Sequence, residues 1–199
     1  TVSKIDVTVY EEWASEFYVN GDRLAVIVSS NKVDKTAQLR IYDISDKTKP
    51  VELTTVSQSG YVVNSRMVGN TVYLLSNYTV YSRDIKRSEP ATFVPCVGAK
   101  PIAASDISLI NDFSYPTYLV VAAIDLKSGE VTASESVLGG AENIYCDSDS
   151  LYYTFTKHGK ESDGKKTTFL NTTTIVKLDL SAEDITVAAD GSVEGVPLN

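Results

Sequence analysis

The groups that could do chemistry in this chain are few: one His, two Cys, one Trp and one Met among 199 residues. His158 lies between Lys157 and Gly159 in a polar stretch. A nucleophilic triad built on it would need an exposed serine elbow, and no G-x-S-x-G occurs, so His158 reads as a solvated loop residue. Cys96 and Cys146 have no C-x-x-C context and no His beside them. That excludes the common zinc and redox motifs and leaves two separate thiols or one disulfide. Asp147 and Asp149 alternate with Ser148 and Ser150, like the start of a calcium loop. The later Gly and bidentate Glu do not follow, so the tetrad reads as a hairpin turn. Glu11, Glu12 and Glu16 surround Trp13 and Phe17, a grouping that could form an aromatic and carboxylate platform for carbohydrate. The competing expectation is that Trp13 anchors a strand or bend in the core. Arg66 sits mid-strand among apolar residues and is expected to pair with a carboxylate or a sheet-edge carbonyl. Asn77-Tyr78-Thr79 and Asn171-Thr172-Thr173 fit the glycosylation pattern, which arises often by chance. No catalytic residue, metal site or cofactor is assigned.

Bulk properties narrow the classes further. Hydrophobic residues make up 43% and charged residues 22%, an ordinary composition for a chain that folds. Eighteen basic residues against 26 acidic ones give −8, which opposes a nucleic-acid or anionic-membrane surface. Lys86-Arg87 and Lys165-Lys166 are too sparse for a nucleic-acid patch. No apolar run approaches the ~20 residues that span a bilayer, and no leader pattern is visible at Thr1. A piece cut from a longer secreted precursor and a trimmed cytosolic protein both fit that start.

The elements that would position these groups are strands. Residues 2–10 alternate as a half-buried strand should. Asn20-Gly21-Asp22 is a tight-turn signal leading into the apolar run 24–28. Residues 38–44 and 51–57 follow, the second more polar and expected to lie outermost. Residues 61–68 and 72–76 form a hairpin about Gly69-Asn70. Strands are expected at 118–126 and 131–138, then at 143–146 and 151–156 around the Asp147 turn, and at 172–180 and 185–188. Residues 88–114, with Pro90, Pro95 and Pro101, read as irregular, and 158–166 as a second loop.

Two submotifs recur. A polar turn followed by an aliphatic strand appears at Gly21-Asp22-Arg23-Leu24, Gly69-Asn70-Thr71-Val72-Tyr73 and Ser148-Asp149-Ser150-Leu151-Tyr152. An apolar strand closing on Asp and an aliphatic appears at Tyr42-Asp43-Ile44, Ile124-Asp125-Leu126 and Leu178-Asp179-Leu180. The simplest role for that Asp is to accept backbone N–H groups of the next turn. Each unit holds about four strands, the content of a blade of ~40–50 residues. The expected fold is therefore all-β, with antiparallel four-stranded blade-like sheets forming about three blades of a partial β-propeller over residues 1–199. Four-stranded sheets cannot cover both their faces alone, so the blades must stack.

The run 42–46 through Lys49-Pro50, then Ser65-Arg66-Met67-Val68-Gly69-Asn70, the run 118–126, and Gly139-Gly140-Ala141-Glu142-Asn143-Ile144-Tyr145 resemble a bacterial and archaeal family of secreted proteins. That family carries a C-terminal β-propeller domain distantly related to WD40 repeats. The resemblance implies an extracellular or cell-envelope location and supplies no catalytic residues. Three blades fall short of the four to eight that close a ring, so the chain is expected to be a fragment with uncovered sheet faces. A non-catalytic binding or scaffolding module follows, with a protein or glycan partner at the cell surface and self-association through the open faces. Part of a secreted hydrolase acting on surface glycans or peptides, and a purely structural envelope domain, are the alternatives.

Overall fold

The computed structural model describes residues 2–7, 9–31, 35–110, 116–162 and 167–198. β-Branched and aromatic residues in short runs, broken by turn chemistry, favour strands, and strands carry the fold.

The first sheet begins β1 (Glu12–Asn20), β2 (Arg23–Ser30), β3 (Thr36–Asp43) and β4 (Val51–Ser59), each antiparallel to the one before. Gly21 sits at φ +57 in the two-residue β1–β2 turn, where an L side chain is strained. The second sheet takes β5 (Tyr61–Val68) and β6 (Thr71–Thr79). An insert then supplies β7 (Cys96–Val97), β8 (Lys100–Pro101) and β9 (Ile107–Leu109). β10 (Thr117–Asp125) and β11 (Val131–Leu138) complete that sheet. The third consists of β12 (Asn143–Cys146), β13 (Ser150–Ser162), β14 (Thr167–Leu180) and β15 (Ile185–Glu194).

The expected three four-stranded antiparallel units are present, and the sheets are not closed into a ring. The insert departs from the expected plan. Its β7–β8 hairpin extends the first sheet beyond β4, through Gln58 opposite Val97. Its β9 runs parallel to β11 at the rim of the second sheet. The stretch expected to be irregular thus fastens to the outer edges of two neighbouring sheets.

Packing follows from strand parity. Ile27, Leu39 and Ile41 of the first sheet are fully buried against Leu74, Ala122 and Ile124 of the second. On its other face the second sheet turns Leu75, Leu119 and Val121 toward Leu151, Tyr153 and Val176 of the third. Each Leu, Ile or Val among them stabilises the stack by roughly 1.5–3 kcal/mol relative to exposure. The middle sheet is covered on both sides, which explains the continuous apolar runs in β6 and β10.

Two expected elements differ. Residues 2–7 are irregular rather than part of a strand. They lie over the outer face of the first sheet, with Ile5 and Val7 packed beside Val26, Val28 and Tyr42. Their backbone is held by side-chain and backbone polar groups instead of a ladder: the Arg40 guanidinium donates to the Val7 carbonyl, and Ser3 Oγ to Lys47 O. The alternation supplied downward apolar contacts without placing the segment at a free edge. The loop expected over 158–166 is instead the far end of the β13–β14 hairpin, paired out to Ser162 opposite Thr167. Gly159 and Lys160 are tolerated there because both are exposed. Residues 163–166 lie outside the described residues.

Candidate functional site

The carbohydrate platform that Trp13 and its neighbours could form does not assemble. The β1–β2 register shifts between Ala14 and Glu16. Trp13 therefore shares a face with Ile27, whereas Phe17 shares the opposite face with Val26. Trp13 is 47% exposed, so it is not the core anchor either. Glu11 occupies a turn at φ 64. Glu12 is committed to Arg40 at 2.8 Å, with its carboxylate buried. Glu16 accepts from Ser65 Oγ and from the Tyr18 phenol at 3.1 Å, tying the innermost strands of two sheets together.

The other candidates also resolve into structure. His158 is exposed on β13 with Nδ1 2.9 Å from Asn171 Oδ1. Asp147 Oδ1 accepts the N–H groups of Asp149 and Ser150 at 3.2 and 3.0 Å, and these bonds hold its carboxyl below the usual range. It makes a hairpin turn. The Arg66 side chain forms no ion pair or hydrogen bond among the described residues, contrary to expectation. Its charge offsets part of the burial that pushes the Cys146 thiol up. Cys96 is likewise raised by burial, and both cysteines are free, on different sheets. The Asn77 amide is spent on Ala141, donating to its carbonyl at 2.7 Å and accepting from its N–H at 3.0 Å.

The repeated Asp works as expected in two units of three. Asp43 accepts Ser45 N–H at 2.8 Å, and Asp125 accepts Lys127 and Ser128 N–H at 2.9 and 2.8 Å. Asp179 departs from this pattern and meets Lys177 Nζ at 2.6 Å.

Among the described residues, one carboxyl is raised. Glu135 on β11 is buried where the second sheet meets the third; burial is the main cause, with the charges of Asp106 and Asp184 adding. Ser108 Oγ donates to it at 2.7 Å and works the other way. A cavity of about 470 Å³ there is lined also by Glu183. This cluster stands toward the outer rim of the stack, on β11, with only β9 lying farther from β5 in that sheet. Among the described residues, no three acidic, His or Cys groups are placed to hold a metal ion.

At the end of the sheets opposite the Asp turns lies a cleft of about 480 Å³ with a different character. Its floor is the β4–β5 corner, where Gly60 N–H donates to Lys35 O at 2.9 Å. Gly60, at φ +94, passes so close to β6 that a Cβ would fall 2.2 Å from Asn77 O. Tyr61, Tyr78 and Tyr81 line the walls with Thr36, Ser59, Thr79 and Thr92. The Lys35 ammonium stands 5.1 Å from the Tyr61 ring centroid and 5.9 Å from that of Tyr81. The Arg83 guanidinium lies 5.2 Å from the Tyr81 ring. Such cation–ring contacts favour these positions for the cations by about 0.5–1 kcal/mol each at exposed sites. Lys35 and Arg83 come from segments 48 positions apart, so no local pattern announces the cleft; the only signal is the density of tyrosine from 61 to 81.

Compared with known families, the chain matches the model described as Beta propeller domain over residues 1–199. No curated protein matches it. No helix among the described residues is long and apolar enough to cross a membrane.

Proposed function

The chain belongs to the β-propeller domain family, and from that premise we propose that it is a non-catalytic binding or scaffolding module acting outside the cell or in its envelope. The observation that carries this reading is the disposition of polar groups. Acidic residues at the Asp turns and on β1 are spent on turns and sheet junctions, whereas the Lys35–Tyr81–Arg83 cleft presents cations and rings to solvent. A rigid stack of sheets carrying side chains at its loop ends suits recognition.

The hydrolase alternative would rest on Glu135, the one raised carboxyl among the described residues. Its place at the outer rim, away from the innermost strands, favours a structural role. The outward face of the first sheet bears an apolar groove of about 610 Å³, lined in part by Phe17, Leu24 and Val26. The third sheet leaves Tyr145, Tyr152 and Ile175 exposed. These open faces support the reading of three blades within a larger ring.

Incubation of the purified chain with isolated envelope polysaccharide and surface protein tests the module. Co-sedimentation without release of reducing ends or peptides is expected; turnover sinks the proposal. Fractionation of the source cells tests the location, and recovery only from cytosol overturns it.

A further inference from the structure

We propose that the cleft at the β4–β5 corner binds an acidic sugar unit, a pyranose bearing a carboxylate; this rests on the binding-module reading and gives it a ligand class.

The chemistry of the lining selects that class. Tyr61, Tyr78 and Tyr81 offer aromatic surface suited to the C–H face of a sugar ring, with a polar hydroxyl at each edge. Thr36, Ser59, Thr79 and Thr92 add hydroxyl-bearing side chains to the same wall. A ligand with many hydroxyls and one flat apolar face answers both. Lys35 and Arg83 then require an anion. They stand in a chain of net charge −8, and among the described residues the only carboxylate in the lining is Asp84. That group meets Arg83 Nε at 3.6 Å on an exposed neighbouring side chain, a contact that neutralises little. Among the described residues, Lys35 is bounded by Tyr61, Tyr81 and Arg83, and no acidic side chain pairs with it.

The site is built rather than incidental. Gly60 N–H pins the Lys35 backbone from below. Tyr61 Oη donates to Asn31 Oδ1 at 3.0 Å, holding that ring. Tyr81 is held by the turn in which Asp84 N–H donates to its carbonyl at 2.9 Å. Thr92, which accepts the Lys86 N–H at 2.9 Å, closes the insert side. A carboxylate between two cations resting against rings is recognised by charge-assisted hydrogen bonds.

The test is calorimetric titration of the whole chain with trigalacturonate, maltotriose and hexaglutamate. Trigalacturonate is expected to bind at least tenfold more tightly than either other probe, and more weakly as salt rises. The double variant Lys35→Ala/Arg83→Ala should lose at least tenfold in affinity, and Tyr81→Ala a comparable amount. Lys127→Ala, at the opposite end of the sheets, should bind as the native chain does. Circular dichroism and urea midpoints establish that each variant is folded. Equal binding of maltotriose overturns the anion requirement, and equal binding of hexaglutamate overturns the sugar. Unchanged affinity in the double variant overturns the location. If no probe binds while envelope material is still retained, the inference fails and the module reading stands; release of reducing ends from trigalacturonate defeats that reading too.

Discussion

The backbone N–H of Leu180 donates to the carbonyl of Asp149 at 2.7 Å, and this bond has a counterpart in each of the other sheets. Leu126 donates to Asn70 at 2.8 Å, and Ile44 to Asp22 at 2.9 Å. In every unit the residue after the repeated Asp is tied to the hairpin joining the first two strands. The two submotifs are therefore halves of one through-space contact. Their separation along the chain is free to vary, which is why the insert within the second unit leaves the contact intact.

Gly60 should be the least replaceable glycine tested. In Gly60→Ala the new methyl meets the Asn77 carbonyl at 2.2 Å, on a backbone already at φ +94. A loss of about 3 kcal/mol is expected in urea unfolding. Gly21→Ala, with open space around it, should cost only about 1 kcal/mol. Equal losses would mean that β6 yields to the methyl.

Gln58 is fully buried between the first two sheets. Its Nε2 lies 2.8 Å from Ser76 Oγ and 3.2 Å from both Leu74 O and Val120 O. Gln58→Ala should cost about 2–4 kcal/mol, from the cavity and the stranded acceptors together. Gln58→Met keeps the volume and should retain part of that loss. A near-neutral Gln58→Met would assign the whole effect to packing.

Glu135 makes stability depend on pH in a definite sense. Burial raises its carboxyl in the fold, so the folded chain keeps a proton that the unfolded chain, titrating near about 4.3, has released. Its contribution therefore declines as pH rises from that value through the folded pKa and is flat above it. Glu135→Gln should be more stable than the native chain at pH 7 by about 1 kcal/mol, or about 2–4 °C in Tm. The gap should close near about pH 4. A gap of the same size at both pH values would show that the carboxyl is not responsible.

Tyr153 carries a fully buried phenol oxygen with no hydrogen-bond partner among the described residues. Burial, and then the charges of Asp190 and Glu135, push its ionisation far up, so it is neutral at any working pH. Removing an unsatisfied hydroxyl recovers its desolvation cost. Tyr153→Phe should match or exceed native stability, by up to about 1 kcal/mol in thermal unfolding. A loss above about 2 kcal/mol would mean that the hydroxyl is engaged.

The stack itself was legible because strand parity and turn chemistry are local. The apolar run in β2, the turn at Gly69-Asn70 and the Asp125 turn each predict their own structure from a handful of neighbours. The cleft was not legible. Lys35, Tyr61 and Arg83 are brought together by the meeting of two sheets with an insert, and none has a motif around it. Gln58 escaped for a related reason: in a strand rich in polar residues it resembles solvent-facing neighbours, and only the second sheet turns it into a buried clamp. Residues 2–7 show the converse error, since alternation reports which side chains point down without reporting whether an edge awaits the backbone.

The insert gives the molecule unequal seams. It grips the rim of the first sheet through Gly98 N–H to Ser57 O at 2.6 Å and Cys96 N–H to Ser59 Oγ at 2.9 Å. It grips the rim of the second through β9. Those two sheets are stapled at the periphery as well as glued at the centre, like two pages sharing a clip. Among the described residues, no such strand pairing of the insert spans the second and third sheets; that seam instead holds the buried Glu135 carboxyl and, deeper in, the unpartnered Tyr153 phenol. On heating, opening is expected to begin at the seam beside Glu135, with the first two sheets parting from the third together; amide exchange that rises first between β2 and β5 would overturn this.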